Sequence, residues 1–311
     1  MKDLDEITIN EAYEMLGALP EFFPSVRWAF EFLSQEGYLK KAEDKYHVVN
    51  QSKSIKDNKN VDFKGIRNSI NMIDYVLENW LDVIRGKVNP VYLFFNVKGQ
   101  TLWEEYFNNS NQLYEIHNRW LSAYLSDLIS EKDNVLELGS GYGSTTKTIL
   151  QTYEEKKIQN FSYLATDISQ ILLKKLKNAN ESNQLSTKIL NFDNVNVQVL
   201  EKYDFIIATN ALHCAVNLIE TLKSLKESLK ETGKIILSES IRDTNSYLHQ
   251  EFIFNLLPGY KYKEEEIFLM RGFLTKTEWE HSLFMAGYNN IKVYENNNGP
   301  IIAGLIVGEK M

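Results

Sequence analysis

Three groups of residues in this sequence have the types and spacing to do chemistry. The first is the run Asn134-Val135-Leu136-Glu137-Leu138-Gly139-Ser140-Gly141-Tyr142-Gly143-Ser144-Thr145-Thr146, in which a short apolar stretch reaches an acid and then a turn with glycine at every second position. Glycine allows positive φ and close approach of backbone to a ligand. A helix opening at Thr145 aims its free N–H groups at the same place. The second group is a pair of acids: Asp167 closes the apolar stretch 161–167, and Asp193 closes 187–193 after Phe192. A carboxylate in the first position, followed by Ile168, suits both hydroxyls of a ribose. The third group is His213, at the tip of Tyr203-Asp204-Phe205-Ile206-Ile207-Ala208-Thr209-Asn210-Ala211-Leu212-His213, with Glu239 at the end of a further apolar stretch 26 residues on. Histidine is the side chain whose ordinary pKa suits a general base near neutral pH.

These residues need elements to hold them. From Asn134 onward apolar strands alternate with helical segments, the pattern of an α/β domain with a parallel sheet and crossover helices. The strands are expected at 134–138, 161–167, 187–193, 203–209 and 234–239, and a helix at 277–286. Residues 290–295 and 301–307, separated by Asn296-Asn297-Asn298-Gly299-Pro300, read as a terminal hairpin. Upstream, residues 8–33 show helical apolar spacing and 37–49 alternate about a polar turn, so 1–57 reads as a winged-helix-like unit. The polar stretch 50–60 is a linker. Residues 58–130 carry helical patterns, including Leu113, Trp120, Leu121, Tyr124, Leu125 and Leu128, and are expected to form a helical linker or lid ahead of a sheet domain at 131–311.

Bulk properties narrow the function. The chain has 311 residues, 43% of them hydrophobic, enough for two cores. Its formal charge of -8 opposes a polyphosphate backbone, so nucleic acid is not an expected partner. A single cysteine, Cys214, and a start lacking a basic and apolar leader suggest a reducing, cytoplasmic setting. No apolar stretch approaches the roughly 20 residues of a membrane span. The five histidines show no paired zinc-type spacing, so no metal is expected.

The Glu137-x-Gly139-x-Gly141-x-Gly143 pattern resembles motif I of S-adenosylmethionine (SAM)-dependent methyltransferases more than the dinucleotide fingerprint G-x-G-x-x-G. With Asn210-Ala211-Leu212-His213, the helix–Gly233–strand unit and Phe254-Asn255-Leu256-Leu257-Pro258-Gly259-Tyr260, residues 95–290 resemble the methyltransferase domains of polyketide and mixed polyketide–peptide synthases. That likeness implies a Rossmann-like, seven-stranded class I methyltransferase sheet below an N-terminal winged-helix-like and lid region. It implies SAM as cofactor, held by Glu137, Gly139, Ser140, Gly141, Gly143, Asp167, Ile168, Phe192, Asp193 and Asn210, with Asp193 receiving the adenine amino group. In the carbon-methylating members a histidine after the fourth strand and a glutamate ending the fifth form a dyad. His213 and Glu239 match those positions, and Tyr114 matches an aromatic near the substrate.

The implied activity is methyl transfer to a small-molecule or acyl-carrier-bound intermediate of natural-product biosynthesis, by a monomer or homodimer. Since no carrier, ketosynthase or adenylation segment is visible, the domain is expected to stand alone. Lys53, Lys56, Lys59 and Lys64 are candidates for a basic patch that would meet an acidic carrier. Other readings remain open on the sequence: small-molecule O-methylation, a SAM-sensing winged-helix regulator, and an NAD-dependent oxidoreductase. So do plainer roles for single residues: His213 as a satisfied histidine at a helix start, Glu239 as a cap, Asp193 as the cap of the next helix, and 251–274 as core instead of a roof over substrate. Cys214 beside His213 is not read as a nucleophile, because adjacent residues rarely meet in the required geometry.

Overall fold

The computed structural model describes residues 6–49, 64–180, 182–194, 202–242, 249–257, 273–296 and 303–310. They fall into two compact units, Met1–Tyr106 with Asp243–Lys263, and Phe107–Arg242 with Glu264–Met311.

The second unit carries the sheet. Its strands are β1 (Asn134–Leu138), β2 (Ser162–Asp167), β3 (Leu185–Ile189), β4 (Tyr203–Thr209), β5 (Leu229–Ser240), β6 (Asn289–Asn296) and β7 (Ala303–Glu309). The spatial order is β3-β2-β1-β4-β5-β7-β6, with the first five parallel and β7 antiparallel to both β5 and β6. Helices α1 (Gln112–Ser126), α2 (Ser144–Glu155), α3 (Gln170–Asn178), α4 (Leu218–Glu227) and α5 (Lys276–Met285) complete it. Strands buried on both faces must be apolar nearly throughout, and β1 and β4 are. Alternation then divides each strand between two cores. Val135, Ile207 and Ile236 pack with Leu121, Leu125, Ile149 and Tyr153 on one face. Leu136, Ile206 and Leu237 pack with Leu222, Leu225, Trp279 and Leu283 on the other. Continued to the end of β5, the alternation sends Ser238 to the α1 face and Glu239 to the α4 face.

Strand order reverses at β1, whose neighbours are β2 on one side and β4 on the other. Crossover helices leave β1 and β4 in opposite directions there and open a crevice at their carboxyl ends, where open α/β sheets bind ligands.

Several expected boundaries move. The lid is expected over 58–130, but α1 packs within the sheet-bearing unit, and the units divide at Tyr106/Phe107. Strand β5 starts at Leu229 instead of 234, with an irregular register that lets Tyr203 pair with Leu229 and Phe205 with Lys234. Strand β3 ends at Ile189, so Asp193 does not close a strand. It lies in a short 3-10 turn, Phe192–Asn194, formed because the Asn191 side chain accepts the Asp193 N–H at 3.0 Å.

In the first unit, strands Ile7–Thr8 and Leu39–Ala42 flank Lys45–Val48 in an antiparallel sheet, joined by helices Ile9–Leu16 and Phe23–Gln35. Thr8 and Glu11 form a capping box at the first helix. Helices Arg67–Ile84, Pro90–Phe95 and Val97–Tyr106 follow, and His249–Phe254 returns to the same unit, where buried Glu251 accepts the Trp28 indole N–H at 2.9 Å. No described helix is long and apolar enough to cross a membrane. Lys53, Lys56, Lys59, the stretch 50–60, Pro258, Gly259, Tyr260 and the turn 297–300 lie outside the described residues, and Lys64 opens a 3-10 turn.

Gly143 holds φ at 78°, and a Cβ there would collide with Leu176 of α3. A left-handed side-chain residue costs about 1–2 kcal/mol and overpacking about 1–3 more. Gly143→Ala is therefore expected to lower unfolding stability by about 2–5 kcal/mol in urea titrations, and an unchanged midpoint would refute the close approach of α2 to α3.

Candidate active site

The glycine turn is shaped from beneath. Gly139, Gly141 and Gly143 adopt φ of 63°, 51° and 78°. A Cβ on Gly139 would come within 2.8 Å of the Ala211 Cβ, whereas at Gly141 the nearest atom is the Gly139 carbonyl oxygen at 3.9 Å. Gly141 therefore borders open space. Asp167 at the tip of β2 braces the turn: one carboxylate oxygen accepts the Gly141 N–H at 2.9 Å and the other the Ser169 N–H at 2.8 Å. The Ser140 N–H reaches the Thr166 carbonyl at 2.9 Å.

Glu137 is almost wholly buried, and one of its oxygens accepts from the Thr146 hydroxyl and, at 2.9 Å, from the Tyr163 hydroxyl. Burial raises its pKa to about 7 against the pull of those hydroxyls. The acid expected to line the pocket instead ties β1 to the first turn of α2 and to β2. A polar latch that sequence reading did not find holds the same helix end. Asn118 of α1 accepts from the Thr145 hydroxyl at 2.7 Å and donates to Asn109 at 2.6 Å, and Asn109 donates to Thr148 at 2.8 Å. The available signal was Asn118 itself, a polar residue three positions before Leu121 on the buried stripe of α1.

On the far side of β2, Asp193 accepts the Val216 N–H at 2.9 Å and ties its turn to the loop entering α4. Ile168 is 70% exposed, Ile189 and Val216 are exposed as well, and Phe192 is half-buried, so the tips of these strands present apolar surface.

At β4 and β5 the geometry is tighter. His213 sits in the 3-10 turn Leu212–Cys214 with its Nδ1 2.7 Å from Glu239 Oε2. The other Glu239 oxygen accepts the Ala211 and Leu212 N–H groups at 3.0 and 2.9 Å, and the residue is 0% exposed. Asn210, expected among cofactor ligands, straddles Glu239: its N–H donates to the Ser238 carbonyl at 2.8 Å and its side-chain oxygen accepts the Ser240 N–H at 2.7 Å. Its φ of 44° is one that asparagine tolerates. Phe273 lies against the His213 ring, centroids 4.7 Å apart. Burial disfavours a charge on His213, but Cys214 and the Glu239 carboxylate outweigh it and raise the pKa to about 10. His117 of α1 lies with its Nδ1 3.0 Å from the Ser238 hydroxyl, and burial, with His213, lowers its pKa to about 3. Tyr114 lies one turn back, its ring 6.1 Å from that of His117 and edge-on to Phe107 at 5.0 Å; Phe107 stacks at 6.1 Å on Tyr142 of the glycine turn. A row of rings thus runs from the glycine turn to His117.

The hydroxyls of Ser140 and Thr209 are buried at this end of the sheet without a hydrogen-bond partner. Among the described residues, no three His, Cys, Asp or Glu side chains gather closely enough to hold a metal ion. The crevice combines a glycine turn over open space, Asp167 at the tip of β2, Asp193 in the turn after β3, and a buried imidazole–carboxylate pair.

Residues 136–235 match the family described as methyltransferase domain. The chain is 26% identical over 235 residues to the non-reducing polyketide synthase atr1 of Stereocaulon alpinum, an alignment covering 73% of this chain and 9% of that protein. The chain thus spans about a tenth of the length of the curated relatives it matches. Among solved structures, the CurJ carbon methyltransferase superposes with a TM-score of 0.79 at 21% identity, covering 100% of this chain and 86% of the other. The citrinin polyketide synthase CMeT domain gives 0.80 at 19%, covering 96% and 86%. The chain carries a class I methyltransferase fold and resembles the methyltransferase domains of polyketide synthases.

The raised His213 pKa carries a stability signature. A proton held more tightly in the folded than in the unfolded state, where a histidine titrates near 6.5, adds stability that is complete below about pH 6.5 and lost as pH rises to about 10. Unfolding titrations should show this decline in the wild type and a flatter profile in Glu239→Gln. Equal slopes in the two proteins would contradict the pairing.

Proposed function

We propose that this chain is a SAM-dependent carbon methyltransferase acting on a polyketide-type acyl intermediate, free or carried on a partner protein, with His213 as general base and Glu239 as its orienting partner. The observation that carries the reading is the 2.7 Å contact between His213 Nδ1 and Glu239 Oε2 at the ends of β4 and β5, next to β1 and its glycine turn.

The residues present suit the cofactor. Gly139, Ser140, Gly141 and Gly143 would meet it through their backbone, with Gly141 leaving space where any side chain would intrude. Asp167 uses one lone pair on each oxygen for the turn and keeps others for ribose hydroxyls. Ile168 and Phe192 would pack on the adenine, with Asp193 near its amino group, and the unpartnered Ser140 and Thr209 hydroxyls are free to bond it. Asn210 would act mainly through the strand ends it joins. When bound, SAM supplies an electrophilic methyl on a positively charged sulfonium.

The protein's share is to generate and aim the nucleophile. Glu239 fixes His213 as the Nδ1–H tautomer when neutral, which leaves Nε2 as the acceptor for a proton from the substrate carbon. A positive charge in the crevice favours loss of the resting proton from His213 and so prepares the neutral base. Tyr114 borders the substrate side in this reading. The first unit, built as strand–helix–helix–hairpin, is read as winged-helix-like, and the charge of -8 speaks against DNA as its ligand.

Asp167→Ala should weaken SAM binding by roughly ten- to hundredfold in calorimetry, the scale of one hydrogen bond to a charged group; unchanged affinity would mean the ribose lies elsewhere. His213→Ala should keep SAM affinity and lose on the order of 10²–10⁴ in kcat on a β-ketoacyl thioester, with methylation located on carbon by NMR. The wild-type kcat/KM should rise with pH along a limb above the ordinary histidine value, and Glu239→Gln should move that limb down. Near-normal turnover by His213→Ala would remove it as the base.

A further inference from the structure

We infer that His117 is a positioning residue for the His213–Glu239 pair, acting through the hydroxyl of Ser238. The inference rests on the reading of His213 as base and adds a second histidine that the dyad does not include.

Ser238 and Glu239 are consecutive on β5 and project to opposite faces, so whatever fixes the roll of the strand at Ser238 fixes the direction in which Glu239 leaves it. The strand end is held on two sides. Toward β4, Asn210 takes the Ser238 carbonyl and the Ser240 N–H. Toward α1, His117 Nδ1 meets the Ser238 hydroxyl at 3.0 Å. Both partners are buried, His117 being 1% and Ser238 0% exposed, and a hydrogen bond away from water is costly to leave unmade. The imidazole is also the exception in its row. Leu113, His117, Leu121 and Leu125 follow one another at i+4 along α1, and leucine would continue the apolar stripe if packing were the only demand on position 117. Burial keeps His117 neutral, so it offers a fixed dipole to Ser238 without a charge that would drive the proton from His213. A base misplaced by about 1 Å can lose on the order of a hundredfold in rate.

The test compares His117→Phe, which keeps a ring and removes the bond, with His117→Gln, which can restore it, and with Ser238→Ala, alone and combined. His117→Phe and Ser238→Ala are expected to lower kcat about ten- to hundredfold with SAM affinity unchanged. The double variant should be little worse than either, because one shared bond is removed, and His117→Gln should recover most of the rate. A parallel readout needs no turnover: the downfield proton resonance of the His213 ring N–H bound to Glu239, assigned by its loss in His213→Ala, should shift in both single variants. Unchanged kcat and resonance in folded His117→Phe, fully additive losses, or an equal loss of SAM affinity would overturn the role. Absence of any methyl transfer by the wild type would instead sink the proposed function, and the resonance would still judge the inference.

Discussion

A carboxylate removed from water must find donors for its lone pairs or give up its charge, and Glu239 finds three: two main-chain N–H groups of the turn after β4 and the His213 ring. Much of the surrounding architecture follows from that requirement. The turn has to bend back so that Ala211 and Leu212 aim their N–H groups at β5, which places Asn210 in a left-handed conformation and lets it bridge Ser238 and Ser240. The same bend brings the imidazole over the carboxylate. Ala211 also sits close enough to Gly139 that no side chain fits there, so the glycine turn and the imidazole–carboxylate pair share one packing constraint.

The crevice depends equally on what supports it from below. Glu137 and Asp167 both spend hydrogen bonds on the turn 139–143 and its flanking elements, one inside the core and one at its rim. Asn118 and Asn109 hold the start of α2 from the other side. The open space at Gly141 is thus bounded by groups already satisfied within the protein, which limits the entropy a ligand must remove on binding. The exceptions, the buried hydroxyls of Ser140 and Thr209, lie at the same end of the sheet.

The sequence made the sheet legible because its central strands carry short apolar runs, such as Phe205–Ala208 and Ile235–Leu237, between turn and helix signals. The alternation from Asn134 onward and the terminal pair of strands could be read from residue type and spacing, whereas the pairing of His213 with Glu239 came from the resemblance to synthase methyltransferase domains. Boundaries were less legible where side-chain hydrogen bonds compete with a ladder, as at Asn191, which ends β3 early and carries Asp193 into a turn. That α1 belongs to the sheet-bearing unit was not legible, because amphipathic spacing shows that a helix buries one face without showing against what. Glu137 and Asn210 were legible as special positions, but their bonds to Thr146, Tyr163 and the backbone of β5 are contacts between distant segments that no local pattern records.

Hydrogen–deuterium exchange at the α-carbon of a β-ketoacyl thioester in D₂O, with a positively charged, non-transferring analogue of the methyl donor bound, reads proton removal by His213 without methyl transfer. Exchange is expected well above the buffer rate for the wild type and near the buffer rate for His213→Ala. Equal acceleration by both proteins would contradict His213 as the base.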